Sequence, residues 1–171
     1  MEPDLARSPT PADDNESATD GRRGFSVYTA TDNPVLRLAL DGSDVAIWDW
    51  DVRAGVCYTS PNWAAILGYA DMPLPPLSSP CPEAIHPDDK LACQIALNHH
   101  LERDTPKFSF EFRAQVPGRT LRWIHAQGKT VERLSSGRPL RMVGTYTDVT
   151  ARKRIERELR RTEARLRKAQ E

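Results

Sequence analysis

At 171 residues, 39% hydrophobic and 28% charged, the chain has material for one ordinary domain plus tails. Its 24 basic and 24 acidic side chains cancel, so no global field draws it to nucleic acid or an anionic membrane. No apolar run approaches the roughly 20 residues of a membrane span, and Met1-Glu2-Pro3-Asp4-Leu5 lacks the basic-then-apolar start of an export signal.

Residues 1–31 are rich in Pro, Asp, Ser and Thr and poor in large apolar groups. They bury too little surface to offset ordering entropy, which predicts a disordered tail. Order is expected from residue 32. Asn33 is a good helix cap, Pro34 suits a first turn, and Val35, Leu36, Leu38, Ala39 and Leu40 make a short apolar helix that ends at Asp41-Gly42. Residues 44–51 alternate as a strand, with Val45, Ile47 and Asp49 on one face and Ala46, Trp48 and Trp50 on the other. A turn at 51–55 and a second strand at 56–59 complete a hairpin. Ser60-Pro61-Asn62 opens a short helix over 63–67 that Gly68 closes.

Residues 71–82 hold Pro73, Pro75, Pro76, Pro80 and Pro82. Each removes a backbone donor, which predicts a loop longer than most connections. His86-Pro87-Asp88-Asp89 starts a helix in which Leu91, Ala92, Ile95, Ala96 and Leu97 recur at helical spacing to about Arg103. Three longer strands follow. Phe108, Phe110 and Phe112 alternate with Ser109, Glu111 and Arg113; residues 121–131 alternate less cleanly; residues 140–149 form the last strand. Two strands, small helices, a longer helix and three strands read as an α+β domain over 32–150, its antiparallel sheet covered on one face by the helices.

The last strand runs straight into a charged helix at 151–171, a device suited to passing a change in the domain to whatever the helix joins. In that tail Arg152, Ile155, Leu159, Thr162, Leu166 and Ala169 fall at steps of three and four, the rhythm of a helix-pair seam. Ile155, Leu159, Thr162 and Leu166 are therefore candidate dimer contacts. Arg152, Lys153, Arg154, Arg157, Arg160, Arg161, Arg165, Arg167 and Lys168 interleave with Glu156, Glu158 and Glu163. This pattern reads as a solvated face with helical ion pairs rather than a nucleic-acid contact.

These residues resemble the PAS family of sensory domains. Trp48-Asp49-Trp50-Asp51, Gly55, Ser60-Pro61-Asn62-Trp63 and Leu67-Gly68-Tyr69 are similar to its first half, and His86-Pro87-Asp88-Asp89 to its helix-start motif. Arg122-Trp123-Ile124, Val143-Gly144-Thr145 and Asp148-Val149-Thr150-Ala151-Arg152-Lys153 resemble its C-terminal half, the PAC motif. Val149 stands where isoleucine is commoner in that junction, and the proline-rich loop departs from the family pattern. The resemblance implies a five-stranded antiparallel sheet in order 2-1-5-4-3, short flanking helices that often cup a small ligand, and a C-terminal coiled-coil helix. It also implies a sensory and dimerisation module, not itself an enzyme, that regulates an attached or partner histidine kinase or cyclic-dinucleotide enzyme. Such a module dimerises through its C-terminal helix and also its N-terminal helix.

Within that frame Asp148, Thr150 and Arg152 are the expected signal-relay residues. Asp148 and Thr150 bond backbone donors where strand becomes helix, and Asp148 pairs with Arg152 to set the helix angle. Candidates for lining a ligand pocket are Ile47, Tyr58, Ile66, Ile85, Ile95, Phe110, Trp123 and Tyr146, although periodicity alone leaves open which strand face points inward. Core packing is the competing role for Trp48, Trp50, Trp63 and Trp123.

Cys81 lies near the adduct-forming cysteine of flavin-binding relatives, but its neighbours Ser79-Pro80-Cys81-Pro82-Glu83 lack the polar groups that grip a flavin, so it reads as a free loop thiol. Haem-binding relatives place a histidine near the long helix, where His99 and His100 stand; a helix C-terminus favours histidine anyway. No cofactor is the leading expectation, with a haem or flavin sensor and a ligand-free adaptor as alternatives. Cys57, Cys81 and Cys93 show no metal-type spacing, and a reducing cytoplasm is their simplest setting. No nucleophile elbow, phosphate loop or zinc-type spacing is present.

Overall fold

The computed structural model describes residues 33–68, 74, 77–115, 118 and 120–170. The tail read over 1–31, Tyr69 and much of the proline-rich loop lie outside the described residues. The elements in chain order are α1 (Pro34–Leu40), β1 (Val45–Asp51), β2 (Val56–Thr59), α2 (Asn62–Ile66), α3 (Pro87–Arg103), β3 (Phe108–Ala114), β4 (Arg122–Arg133), β5 (Pro139–Asp148) and α4 (Thr150–Ala169). The five strands form one antiparallel sheet in order β2-β1-β5-β4-β3.

Local chemistry sets the boundaries. Asn33 accepts hydrogen bonds from the Val35 and Leu36 N–H groups and caps α1. Asn62 donates to the carbonyls of Leu40 and Val45, while Ser60 Oγ accepts from Ile47 N–H. The Ser60-Pro61-Asn62 motif therefore fastens α1, β1 and α2 to one another. His86 caps α3 through Nδ1, and Asp104 ends it in a left-handed conformation.

The face question left open by the sequence is answered by burial. Ala46, Trp48, Trp50, Cys57, Phe108, Phe112, Ala114, Ile124, Ala126, Met142 and Tyr146 face inward, under α2 and α3. Their central piece is Trp48. Its indole lies across Gly128 and Gly144, which are register partners between β4 and β5. Tyr146 stacks on Trp63 at 4.3 Å and meets Trp48 at 6.0 Å between ring centroids. These aromatic side chains thus pack over the middle of the inner sheet face.

The uneven alternation of β4 has a local cause, because its pairing with β5 is irregular between Thr130 and Arg133, as at a β-bulge. The described end of the proline-rich loop is docked. Leu77 exchanges backbone hydrogen bonds with Cys57, the Ser78 carbonyl accepts from Trp50 Nε1 at 3.1 Å, and the Pro80 carbonyl accepts from the Tyr146 hydroxyl at 2.9 Å. Cys81, expected as a free thiol, is bonded to Cys93 on α3. The apolar positions read for this helix differ from its buried side: Leu91, Ala92 and Ile95 are exposed, whereas Cys93, Leu97 and His100 face inward, and the fold brings the loop over Cys93. Cys57 is the free cysteine, fully buried.

Candidate functional site at the strand-to-helix junction

The β5 strand becomes α4 across a single residue, Val149, and the junction is tied to the main chain of Trp123. The Val149 N–H donates to the Trp123 carbonyl at 2.8 Å, and the Trp123 N–H donates to Thr150 Oγ1 at 2.9 Å. Asp148 Oδ1 accepts from Thr150 N–H at 2.9 Å. Both backbone groups of Trp123 are thus spent on holding the start of the helix.

The side chain of Trp123 lies on the outer sheet face under three cations. Lys153 Nζ is 4.9 Å from the ring centroid, Arg157 5.8 Å and Arg113 5.9 Å, within the range of cation–π attraction. Glu111, on the neighbouring strand and the same face, forms ion pairs with both Arg152 and Lys153. Arg152 also reaches Glu156, one turn along α4, at 2.7 Å. One aromatic ring and one carboxylate therefore clamp the first two turns of α4 to β3 and β4.

This arrangement replaces the expected Asp148–Arg152 pair. Asp148 bonds Arg122 at 3.2 Å instead. The two sit diagonally on one face of adjacent strands, since Ile124 is the register partner of Asp148. The turn into α4 carries Arg152 over the opposite face, toward Glu111.

Arg113 extends the clamp. Asp89 of α3 takes two hydrogen bonds from its guanidinium, at 2.6 and 2.9 Å, and one from its backbone N–H. A continuous line of contacts therefore runs from the N-terminus of α3 through Asp89, Arg113 and Trp123 to Lys153 and Arg157 on α4. Glu111 and Asp89 carried no signal as pairing residues in the sequence, because each meets its partner across at least 24 positions.

Both carboxylates titrate below the usual range. The hydrogen bonds from Arg113 hold Asp89 down. At Glu111 burial pushes upward, and the hydrogen bonds from Lys153 and Arg152 outweigh it. A depressed folded-state pKa means that the unfolded chain takes the proton first. The stabilisation is therefore whole above the unfolded value of about 4 and is lost as pH falls through the folded value. Acidification below about pH 4 is expected to loosen α4 from the sheet, seen as movement of the Trp123 and Lys153 amide resonances. Glu111→Gln should remove the Glu111 contribution to that movement, and resonances unmoved to the acid end would take Glu111 out of the clamp.

The candidate pocket residues divide between the two faces. Ile66, Ile85 and Tyr146 are buried in the core and Phe110 packs against it. Ile47, Tyr58 and Trp123 stand on the outer face, opposite in parity to Trp48, Cys57 and Ile124, and Ile95 is 61% exposed on α3. Of the residues weighed for a haem or flavin site, His99 is exposed on α3, and His100 and Cys81 are engaged elsewhere. His100 is buried, with Nδ1 at 2.7 Å from Thr105 Oγ1 and Nε2 at 3.2 Å from Thr130 Oγ1, so neither ring nitrogen is free for iron. The Cys81 sulfur is already bonded. Among the described residues no cluster of three or more His, Cys, Asp or Glu could hold a metal ion, and no helix is long and apolar enough to cross a membrane.

The sequence profile of the PAS fold matches residues 56–146, more than half of the chain. The chain belongs to the PAS family. Among solved structures this PAS domain is similar to a sensory box histidine kinase/response regulator from Burkholderia thailandensis E264, at 36% identity and a TM-score of 0.64, covering 77% of this chain and 97% of that one. The N-terminal domain of a diguanylate cyclase with PAS/PAC sensor from Marinobacter aquaeolei shares the fold at 18% identity and a TM-score of 0.53, with 63% of this chain and 97% of that one covered. Comparison with curated proteins returned no match.

Proposed function

We propose that this PAS domain is a cytoplasmic sensory and dimerisation module that regulates an attached or partner histidine kinase or cyclic-dinucleotide enzyme through α4. The observation that carries this reading is the clamp. A helix that leaves the sheet across one residue, held by Trp123 and Glu111, must tilt when the strands or α3 move. Asp148 and Thr150 fix where it starts, and Arg152 helps fix its direction. The similarity to a sensory histidine kinase supports the choice of output.

The far part of α4 supports dimerisation. Ile155, Leu159 and Leu166 are 67%, 58% and 60% exposed, on the stripe that also carries Thr162. A second copy of the helix would cover that stripe. Val35 and Leu38 of α1 are equally uncovered, which supports a second contact through the N-terminal helix. The full chain is expected to show the mass of a dimer in light scattering, and Leu159→Asp or a chain ending at Thr150 a mass close to the monomer. Equal masses for all three would remove the seam.

A second reading, small-molecule sensing, is favoured by Trp48 Nε1 and Trp63 Nε1. Both are buried donors without an acceptor among the described residues. A ligand presenting a carbonyl or carboxylate would satisfy them. Mass retained by the protein in native mass spectrometry supports this reading, and the bare chain mass supports the adaptor.

A further inference from the structure

The bonded cysteines join two parts of the domain that are otherwise held in different ways. Cys81 belongs to the segment 77–82, fastened to the sheet through Cys57, Trp50 and Tyr146. Cys93 belongs to α3, whose first turn holds Arg113 through Asp89. The Cα atoms are 6.3 Å apart, a separation that accommodates the bond without backbone movement. Cys93 is fully buried, whereas Cys81 is partly open to solvent. The pair thus has one accessible sulfur for an incoming thiol and one shielded sulfur to re-form the bond. The third cysteine, Cys57, lies apart in the core, where burial pushes its thiol far above the ordinary value and keeps it protonated.

We propose that Cys81 and Cys93 are a reversible thiol–disulfide site, exchanging with low-molecular-weight disulfides and thiols of the glutathione type, and that its state is read through α3. In the oxidising direction the Cys81 thiolate attacks a glutathione disulfide, forms a mixed disulfide and releases one glutathione thiolate. The Cys93 thiolate then attacks the Cys81 sulfur and expels the second. The protein loses two electrons and two protons, and one glutathione disulfide becomes two glutathione thiols. Reduction runs the same steps backward: a glutathione thiolate attacks the partly open Cys81 sulfur and expels the Cys93 thiolate, and a second attacks the glutathione sulfur of the mixed disulfide and releases the Cys81 thiolate. In a reducing compartment a disulfide that is not transient has no reason to persist, so a pair there fits sensing better than stapling.

Breaking the bond removes the link between α3 and the docked segment 77–82 and leaves α3 held by its packing, by Asp89 and His86 against Arg113 at its start, and by His100, Leu101 and Asp104 against β4 at its end. Because Asp89 meets Arg113, and Arg113 meets Trp123, looser seating of α3 reaches the clamp on α4. This consequence rests on the reading of α4 as the output helix. The exchange chemistry does not depend on it.

The test uses the full chain equilibrated in glutathione buffers from fully oxidised to fully reduced, quenched with N-ethylmaleimide and weighed. Cys81 and Cys93 should pass together from zero to two adducts within the series, with Cys57 unlabelled at both ends. A pair locked in either state across the whole series overturns the site. Amide exchange over residues 77–95 should quicken by at least about tenfold on reduction, and over 150–157 by a smaller factor. Titration of the pair with unchanged exchange at 150–157 overturns the link to α4 while leaving the dimer seam untouched. Cys81→Ser should exchange like the reduced chain and ignore glutathione; a Cys81→Ser protein that still responds points to another sensor and overturns the assignment.

Discussion

Gly144→Ala is expected to destabilise the domain by about 3 kcal/mol, lowering the Tm by roughly 10 °C. A methyl group is the smallest change available, yet here it has no room. An added Cβ would overlap the Gln127 carbonyl oxygen and the six-membered ring of Trp48. The first is backbone in the middle of a sheet and the second is an indole with no exposed surface, so neither yields cheaply. Backbone conformation is not the obstacle, since Gly144 is absent from the positive-φ positions. Gly128 is in the same position across the ladder, against Trp48 and the Val143 carbonyl. The measurement is a urea or thermal unfolding curve of each variant. Adding Trp48→Phe should recover part of the loss at Gly144, because a smaller ring removes one of the two collisions. A Gly144→Ala protein as stable as the parent would mean that Trp48 does not lie across the glycine pair, and the description of the packing over the sheet's centre would fall with it.

Thr150→Val should loosen the first turns of α4 while sparing the core. The substitution keeps the shape of the side chain and deletes the one oxygen that accepts the Trp123 N–H. That donor would be left without its partner in a part-buried place, at a cost of about 2 kcal/mol. Amide exchange over residues 150–157 should accelerate by about 30-fold, whereas exchange in β1 and β5 should stay within error. Asp148→Ala removes the other half of the anchor by freeing both Thr150 N–H and Arg122. The two effects should be less than additive, since one junction serves both. If Thr150→Val left exchange in α4 unchanged, the helix would be held by Glu111 and Trp123 alone, and the junction would be only a cap.

Only the local part of the strand-to-helix junction was readable in advance, since the bonds to Trp123 span 27 positions and Asp148 pairs with Arg122 rather than Arg152. Asp148 and Thr150 are separated by two positions, so a capping bond between them follows from the chain itself. Trp123 was singled out as a pocket residue, but its role depends on which way β4 faces. Glu111 looked like an ordinary polar residue alternating with phenylalanines. Its partners lie about forty residues on, and no spacing rule connects them.

The order of elements, the hairpin, the cap at Asn33, the helix start at His86-Pro87-Asp88-Asp89, and the antiparallel α+β architecture follow from periodicity and turn chemistry, which act over a few residues. The same holds for the strand that runs into a charged helix. Three things were decided only by folding: which face of each strand is inside, which charge meets Asp148, and which cysteine finds Cys81. A period of two names two faces without ranking them, and pairing across a sheet depends on register. Arg141 bonds Asp49, 92 positions away, for that reason alone. Distance along a chain fixes neighbours within a turn of helix or a hairpin; beyond that, burial of Trp48, Trp63 and Tyr146 against one sheet face selects the partners.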